Sequence, residues 1–229
     1  MGFVILFNAV LVLLFSRTRL PPRKRGPLID WDSLREPSYV SFCVGIFFVF
    51  WGLFFAYYYI RPFSRGTLHA SDYASFNLLL ILNGMGVPGR FMPALLSDRC
   101  LGPLNTIIPL AISCGVLTYF WVAVRSVTGL YAWDAVYGFL GGGVQSLVLA
   151  ASSSFAPDLK KNGGRMGIVL TIASFGCLSG PPIGGRIIQH RDGEYLLAQV
   201  FAGTAIVLGS LLLLYARLSQ TGLHLMRRV

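Results

Sequence analysis

An arginine inside an apolar run, with prolines on either side and an asparagine two turns before it, is the feature of this sequence best suited to chemistry. In NGMGVPGRFMPALLSDR, residues 83–99, Asn83, Gly86, Val87 and Arg90 are separated by three or four residues and share one helical face. A guanidinium matches a carboxylate in bidentate geometry, so the chemistry on offer is the binding of a small organic anion. At membrane depth an unpartnered arginine costs roughly 2.5–3.5 kcal/mol on insertion scales, which predicts that Arg90 faces a bundle interior or a cavity. The competing expectation is that it snorkels to the headgroups. Gly86, one turn earlier, has no side chain, and Asp98 lies two turns later at the water boundary, so a counter-charge has to come from another helix or from a ligand. Asp134 is the other acid within an apolar run; it reads as such a partner or as a solvated interfacial residue near a span end.

Two further groups qualify as lining residues. Tyr57, Tyr58 and Tyr59 end an aromatic run, where an interfacial belt accounts for them. Three adjacent side chains on a helix nevertheless point about 100° apart, so at least one is expected to face the interior, and Tyr58 is assigned to the site. Gln145 lies deep in GGGVQSLVLAASSS and suits an interhelical hydrogen bond or a cavity wall. Metal chemistry has no matching pattern: Cys43, Cys100, Cys114 and Cys177 lie in or at the ends of apolar runs without a CxxC pair. His69, His190 and His224 fall in connections or the tail, and no paired acids or Ser/His constellation occurs within the spans, which argues against an intramembrane enzyme. No cofactor is expected.

These residues need a lipid-embedded scaffold. The 229 residues are 55% hydrophobic and only 12% charged, with a mean hydropathy of +0.66, far from the roughly 25% charged of a soluble domain. Seven apolar segments stand out, at 2–16, 39–60, 73–97, 103–124, 127–156, 165–188 and 194–216. All but the first are long enough to cross roughly 30 Å of hydrocarbon as a helix. The first lacks both a basic leader and a small-residue cleavage site, and reads as a truncated helix. Pro88, Pro93, Pro109, Pro181 and Pro182 inside spans, with glycines at 138, 141, 142 and 143 and at 176, 180 and 184, predict a packed bundle rather than isolated helices.

The net charge of +10 sits mostly between spans, where it sets orientation rather than binding nucleic acid. With the long connection after the first segment placed in the cytoplasm, thirteen basic residues fall on that side and five on the other, Arg90 aside. This predicts an outside N-terminus, a basic cytoplasmic loop at 17–38, a bundle at 39–216 and a cytoplasmic tail at 217–229.

The loop PALLSDRCLGPLN, residues 93–105, resembles the signature of the major facilitator superfamily, with Asp98, Arg99 and Gly102 matching and Ala94 where a glycine is usual. Taken with KRGPLIDWDSLREPSYV before an aromatic helix, the Gly89–Arg90 pair, KKNGGRMG and GCLSGPPIGGRI, the order and spacing are similar to fungal members of the monocarboxylate-transporter-like branch. The resemblance covers essentially the whole chain and implies an all-α membrane protein: the six-helix C-terminal bundle of a twelve-helix carrier, preceded by the remnant of a sixth helix. It implies alternating access around a midplane site, Arg90 as the receptor for a small monocarboxylate, and a gating role for Asp98, Arg99 and Gly102 against a helix of the N-terminal half.

Many animal members carry an aspartate one turn before that arginine as the proton-coupling partner; Gly86 stands there in this chain. The expected partners are an anionic small molecule, protons, the bilayer and the missing N-terminal half. The expected location is the plasma membrane, with the vacuolar membrane as the other option. A late-starting gene model accounts for the short first segment. The competing functional expectation is a non-transporting scaffold or an inactive half-transporter.

Overall fold

In the computed structural model, which describes residues 2–16, 31–156 and 159–222, the chain is helical throughout its regular structure. The basic connection as far as residue 30 and the tail from 223 onward lie outside the described residues. The helices are α1 (Gly2–Phe15), α2 (Pro37–Gly66), α3 (Asp72–Leu96), α4 (Pro103–Trp121), α5 (Val127–Ser153), α6 (Leu159–His190) and α7 (Leu196–Thr221). Six of them, α2 to α7, are long and apolar enough to cross a membrane, whereas α1 is a shorter apolar helix that buries none of its residues. These make the chain an all-α, multi-pass membrane protein.

Local chemistry places the helix starts. Pro37 opens α2 at a position whose missing N–H would be unsatisfied in any case. The Ser71 hydroxyl accepts from the Ala74 amide at 3.2 Å and caps α3, with Asp72 in the first turn complementing the helix dipole. Ser126 caps α5 by accepting from the Gly129 amide at 3.1 Å. Between α3 and α4 a π-helical turn, Ser97–Leu101, extends the third span, and Gly102 at φ 84° reverses the chain into Pro103. That left-handed conformation is one a Cβ would oppose.

Several expected boundaries shift: the second span runs on to Gly66 rather than 60 and the last to Thr221 rather than 216. The fourth span closes at Trp121 rather than 124, where successive tight turns through Val122, Ala123 and Val124 replace the helix. The sixth helix begins at 159 rather than 165, because the polar stretch KKNGGR continues the helix instead of forming its connection.

In the bundle, α2 packs against α6 and α7, α4 lies between α7 and α5, and α3 runs along α5. Glycines bring three of these pairs to backbone contact, α2 and α7 meeting at Gly45 and Gly209. A Cβ on Gly142 would lie 2.5 Å from the Gly86 carbonyl oxygen, while Gly89 abuts the Phe139 backbone and Gly138 that of Leu82. Gly176 and Gly180 of α6 similarly meet the Phe47 and Trp51 carbonyls of α2, and Gly184 meets the Phe55 ring. These are packing roles. Internal prolines at 88 and 93 leave α3 continuous. α3 and α6 expose apolar side chains along one face, among them Leu80, Val87 and Phe91 on α3 and Phe175 and Leu178 on α6.

The end of the bundle where α2, α4 and α6 begin, called here the basic end, is tied by two buried arginines. Arg165 of α6 donates to both oxygens of Glu36, at 2.8 and 2.6 Å, and to the Phe155 carbonyl. Its guanidinium also lies 5.2 Å from the centre of the Tyr39 ring. Arg217 of α7 donates to the Asn105 side-chain oxygen on α4.

Candidate functional site

Because α3 and α5 touch at Gly86 and Gly142, the residues one turn nearer the basic end face each other across the seam. There Arg90 Nη2 donates to Gln145 Oε1 at 3.4 Å, and Gln145 Nε2 donates to the Tyr57 hydroxyl at 3.1 Å. The result is a polar chain from α3 through α5 to α2, inside an otherwise apolar layer. Ser146 reinforces the junction, its hydroxyl within bonding distance of the Arg90 carbonyl at 3.3 Å and the Gly143 carbonyl at 3.0 Å.

The chain is held more firmly at one end than at the other. Tyr57 is partly buried, and its hydroxyl occupies the space a Gly141 side chain would take, 3.0 Å from the Cβ position. It packs on Tyr137, whose own hydroxyl donates to the Leu53 carbonyl at 3.0 Å. A stack of Trp121, Trp133 and Tyr137, with centroids 4.8 and 4.7 Å apart, fixes that part of α5. Arg90, by contrast, is exposed, and the 3.4 Å contact sits at the long limit of a hydrogen bond. Among the described residues no carboxylate lies within ion-pair distance of it. A guanidinium has five N–H donors, so most of its capacity faces outward.

The residues singled out in the sequence fall into three places. Arg90 and Gln145 come together. Asn83 shares the exposed face of α3, but its side-chain amide turns back to the Leu79 carbonyl at 2.8 Å and does not join the chain. Tyr58 points away from it and is 63% exposed. The inward tyrosines are Tyr57, bonded to Gln145, and Tyr59, which donates to the Pro181 carbonyl of α6 at 3.0 Å. Which of three consecutive residues faces inward depends on the rotation of α2 against its neighbours, and that rotation is not encoded locally. Asp98 and Arg99 are exposed in the π-helical turn at the basic end, beside Gly102, whose amide donates to the Ser97 carbonyl at 2.9 Å.

Asp134 overturns the interfacial expectation. It is 0% exposed, on the half of α5 away from the basic end. It does not pair with Arg90, so it is neither a solvated residue nor the arginine's contact partner.

Six helices long and apolar enough to cross a membrane define a multi-pass membrane protein, with an exposed arginine on the seam between two of them. Comparison with known proteins narrows the class. No family model matches the chain. It is 39% identical over 221 residues to an MFS-type transporter of Gibberella zeae, covering 96% of this chain and 50% of that protein. It is 30% identical over 198 residues to an agnestins efflux protein of Paecilomyces divaricatus, covering 86% and 45% of the two chains. An aspyridones efflux protein of Emericella nidulans is 27% identical over 217 residues, covering 95% and 44%. The chain is therefore homologous to MFS-type transporters, and it spans about half the length of the curated relatives it matches.

Proposed function

We propose that this chain is the C-terminal half of a major-facilitator-type carrier, of the monocarboxylate-transporter-like branch, that moves small organic anions by alternating access. The observation that carries the reading is Arg90: a cation within an apolar span, exposed, and among the described residues its guanidinium bonds only to an uncharged amide, at 3.4 Å. Such a group favours an anion that can accept two parallel N–H bonds. Gln145 orients the guanidinium from behind and Tyr57 orients Gln145, so both are positioning groups for the same cargo. Asn83 widens the polar face of α3 toward the far side. Asp98, Arg99 and Gly102 form the gate at the basic end, closing against the N-terminal half of the carrier. The plasma membrane is the proposed location.

The test is uptake of radiolabelled lactate, pyruvate and acetate, at two pH values, by cells expressing the full gene product. Arg90→Ala abolishes uptake and Arg90→Lys leaves a small fraction, because a point charge replaces a fork. Uptake unchanged in Arg90→Ala sinks the anion site and favours a non-transporting scaffold. A second reading has a specific basis, since two relatives are named as efflux proteins for aspyridones and agnestins. On that reading the same arginine receives a larger organic acid and the flux is outward. Export from preloaded cells without uptake of the short acids distinguishes it.

A further inference from the structure

The face of α5 that carries Gln145 begins, three turns farther from the basic end, with an acid. Asp134, Gly138, Gly141 and Gln145 recur at intervals of four, three and four residues, so they form one stripe. Neither carboxyl oxygen of Asp134 has a hydrogen-bond partner, and the residue is completely buried. The Leu82 backbone on α3 comes near without meeting hydrogen-bond geometry. An ionised carboxylate in that position would be an uncompensated charge in an apolar interior, whereas the protonated acid is an ordinary polar group.

The groups facing the stripe are few. Tyr57 from α2 is within electrostatic reach of Asp134, of Arg90 on α3 and of Cys114 on α4. Tyr137 lies next to Asp134 on α5 and is within reach of Tyr57 and Cys114. α6 also touches α5, but brings Arg165 to Phe155, at the opposite end of the helix. Arg165 is committed to Glu36. Arg61, one turn beyond Tyr57 on α2, and Arg125, just before α5, stand at Asp134's end of the bundle; Arg90 is the cation that hydrogen-bonds to this stripe, through Gln145, eleven residues along from Asp134, or about 16 Å.

We propose that Asp134 is a proton-binding site, taking one proton from water and returning it to water, and that its charge state sets how firmly Arg90 holds an anion. With the proton on, Arg90 is the uncompensated charge of this layer and an anion is its counter-ion. With the proton off, Asp134 supplies a negative charge that Arg90 feels through the Tyr57–Gln145 chain, and the anion is held less firmly. Proton and anion therefore bind together, each raising the affinity for the other. The anion half of this statement rests on the transport reading above; the proton site does not.

The experiment takes the full chain, purified in detergent, as wild type, Asp134→Asn and Asp134→Glu. The infrared difference spectrum between mildly acidic and alkaline buffer shows the C=O stretch of a protonated carboxylic acid in the wild type. The band is lost in Asp134→Asn, whose amide has the shape of the neutral acid, and is displaced in Asp134→Glu. The thermal midpoint of the wild type falls as pH rises, since ionisation leaves a bare charge only in the folded bundle, and Asp134→Asn removes that slope. Acetate protects the wild type against heat more strongly at acidic than at alkaline pH, and this difference disappears in Asp134→Asn. No acid band that depends on Asp134, or an equal pH slope in wild type and Asp134→Asn, overturns the proton site. Acetate protection that keeps its pH dependence in Asp134→Asn overturns the linkage. If the band is present and acetate protects at no pH, or protects Arg90→Ala equally well, the anion reading fails while the proton site stands.

Discussion

Arg165, near the start of α6, is 1% exposed and gives two guanidinium nitrogens to one carboxylate, whereas Arg90, in the last third of α3, is exposed and among the described residues its guanidinium touches a single amide oxygen, at 3.4 Å. Both interrupt helices that are otherwise rich in apolar and small residues. At the basic end the charge is matched by Glu36, a carbonyl and an aromatic face, so the arginine serves as a joint between α2, α5 and α6. In the seam between α3 and α5 the neighbours supply shape and orientation but no charge. For this pair the difference teaches that compensation and burial go together: Glu36 locks Arg165 away, whereas Arg90, given an amide alone among the described residues, leaves its donors facing out.

The comparison can be broken most severely at Arg165. Removing one partner of a buried pair strands the other, so Arg165→Ala is expected to cost about 3–5 kcal/mol, read as a lowered thermal midpoint in detergent. Glu36→Gln keeps the shape but halves the compensation; with Glu36 itself partly exposed, the expected loss is about 1.5–3 kcal/mol by the same measurement. The seam is next. Gly142→Ala places a methyl against the Gly86 carbonyl and is expected to cost about 1–3 kcal/mol while moving Gln145 away from Arg90. Gln145→Leu removes two hydrogen bonds at a half-buried position, for about 0.5–1.5 kcal/mol. The smallest stability effect belongs to Arg90→Ala, within about 0.5 kcal/mol, and it is accompanied by complete loss of anion uptake. A large loss of stability in Arg90→Ala would erase the contrast with Arg165.

Much of the architecture was legible because spans announce themselves by length and composition; the caps at Ser71 and Ser126 that start α3 and α5 emerge only in the structure. Arg90 was legible for the same reason: a charge in an apolar run has few explanations. What escaped was everything decided by helix rotation and by partners far apart in the sequence. Tyr57 rather than Tyr58 meets Gln145 because α2 is turned to seat Tyr57 over Gly141. Asp134 reads from sequence as a partner for Arg90 or a solvated interfacial residue, since its distance from the span end is known and the neighbours covering it are not. Arg165 and Arg217 read as orientation signals in a tally of charges, yet each is nearly fully buried and joins elements more than a hundred residues apart. The polar KKNGGR stretch hid the start of α6, since a helix that carries its own buried ion pair need not be apolar there.

Gly86, Gly89, Gly138 and Gly142 leave no side chains between the α3 and α5 backbones along that contact. Two rods interlocked at their peptide groups have no lubricating layer and cannot slide without lifting apart. Arg90 and Gln145 consequently ride on a single plate, and rocking of the bundle carries both without changing the gap between them. On the transport reading proposed above, capture and release of an anion then fall to the swing of one long side chain about its own torsions, a motion far faster than any reorientation of the helices that bear it.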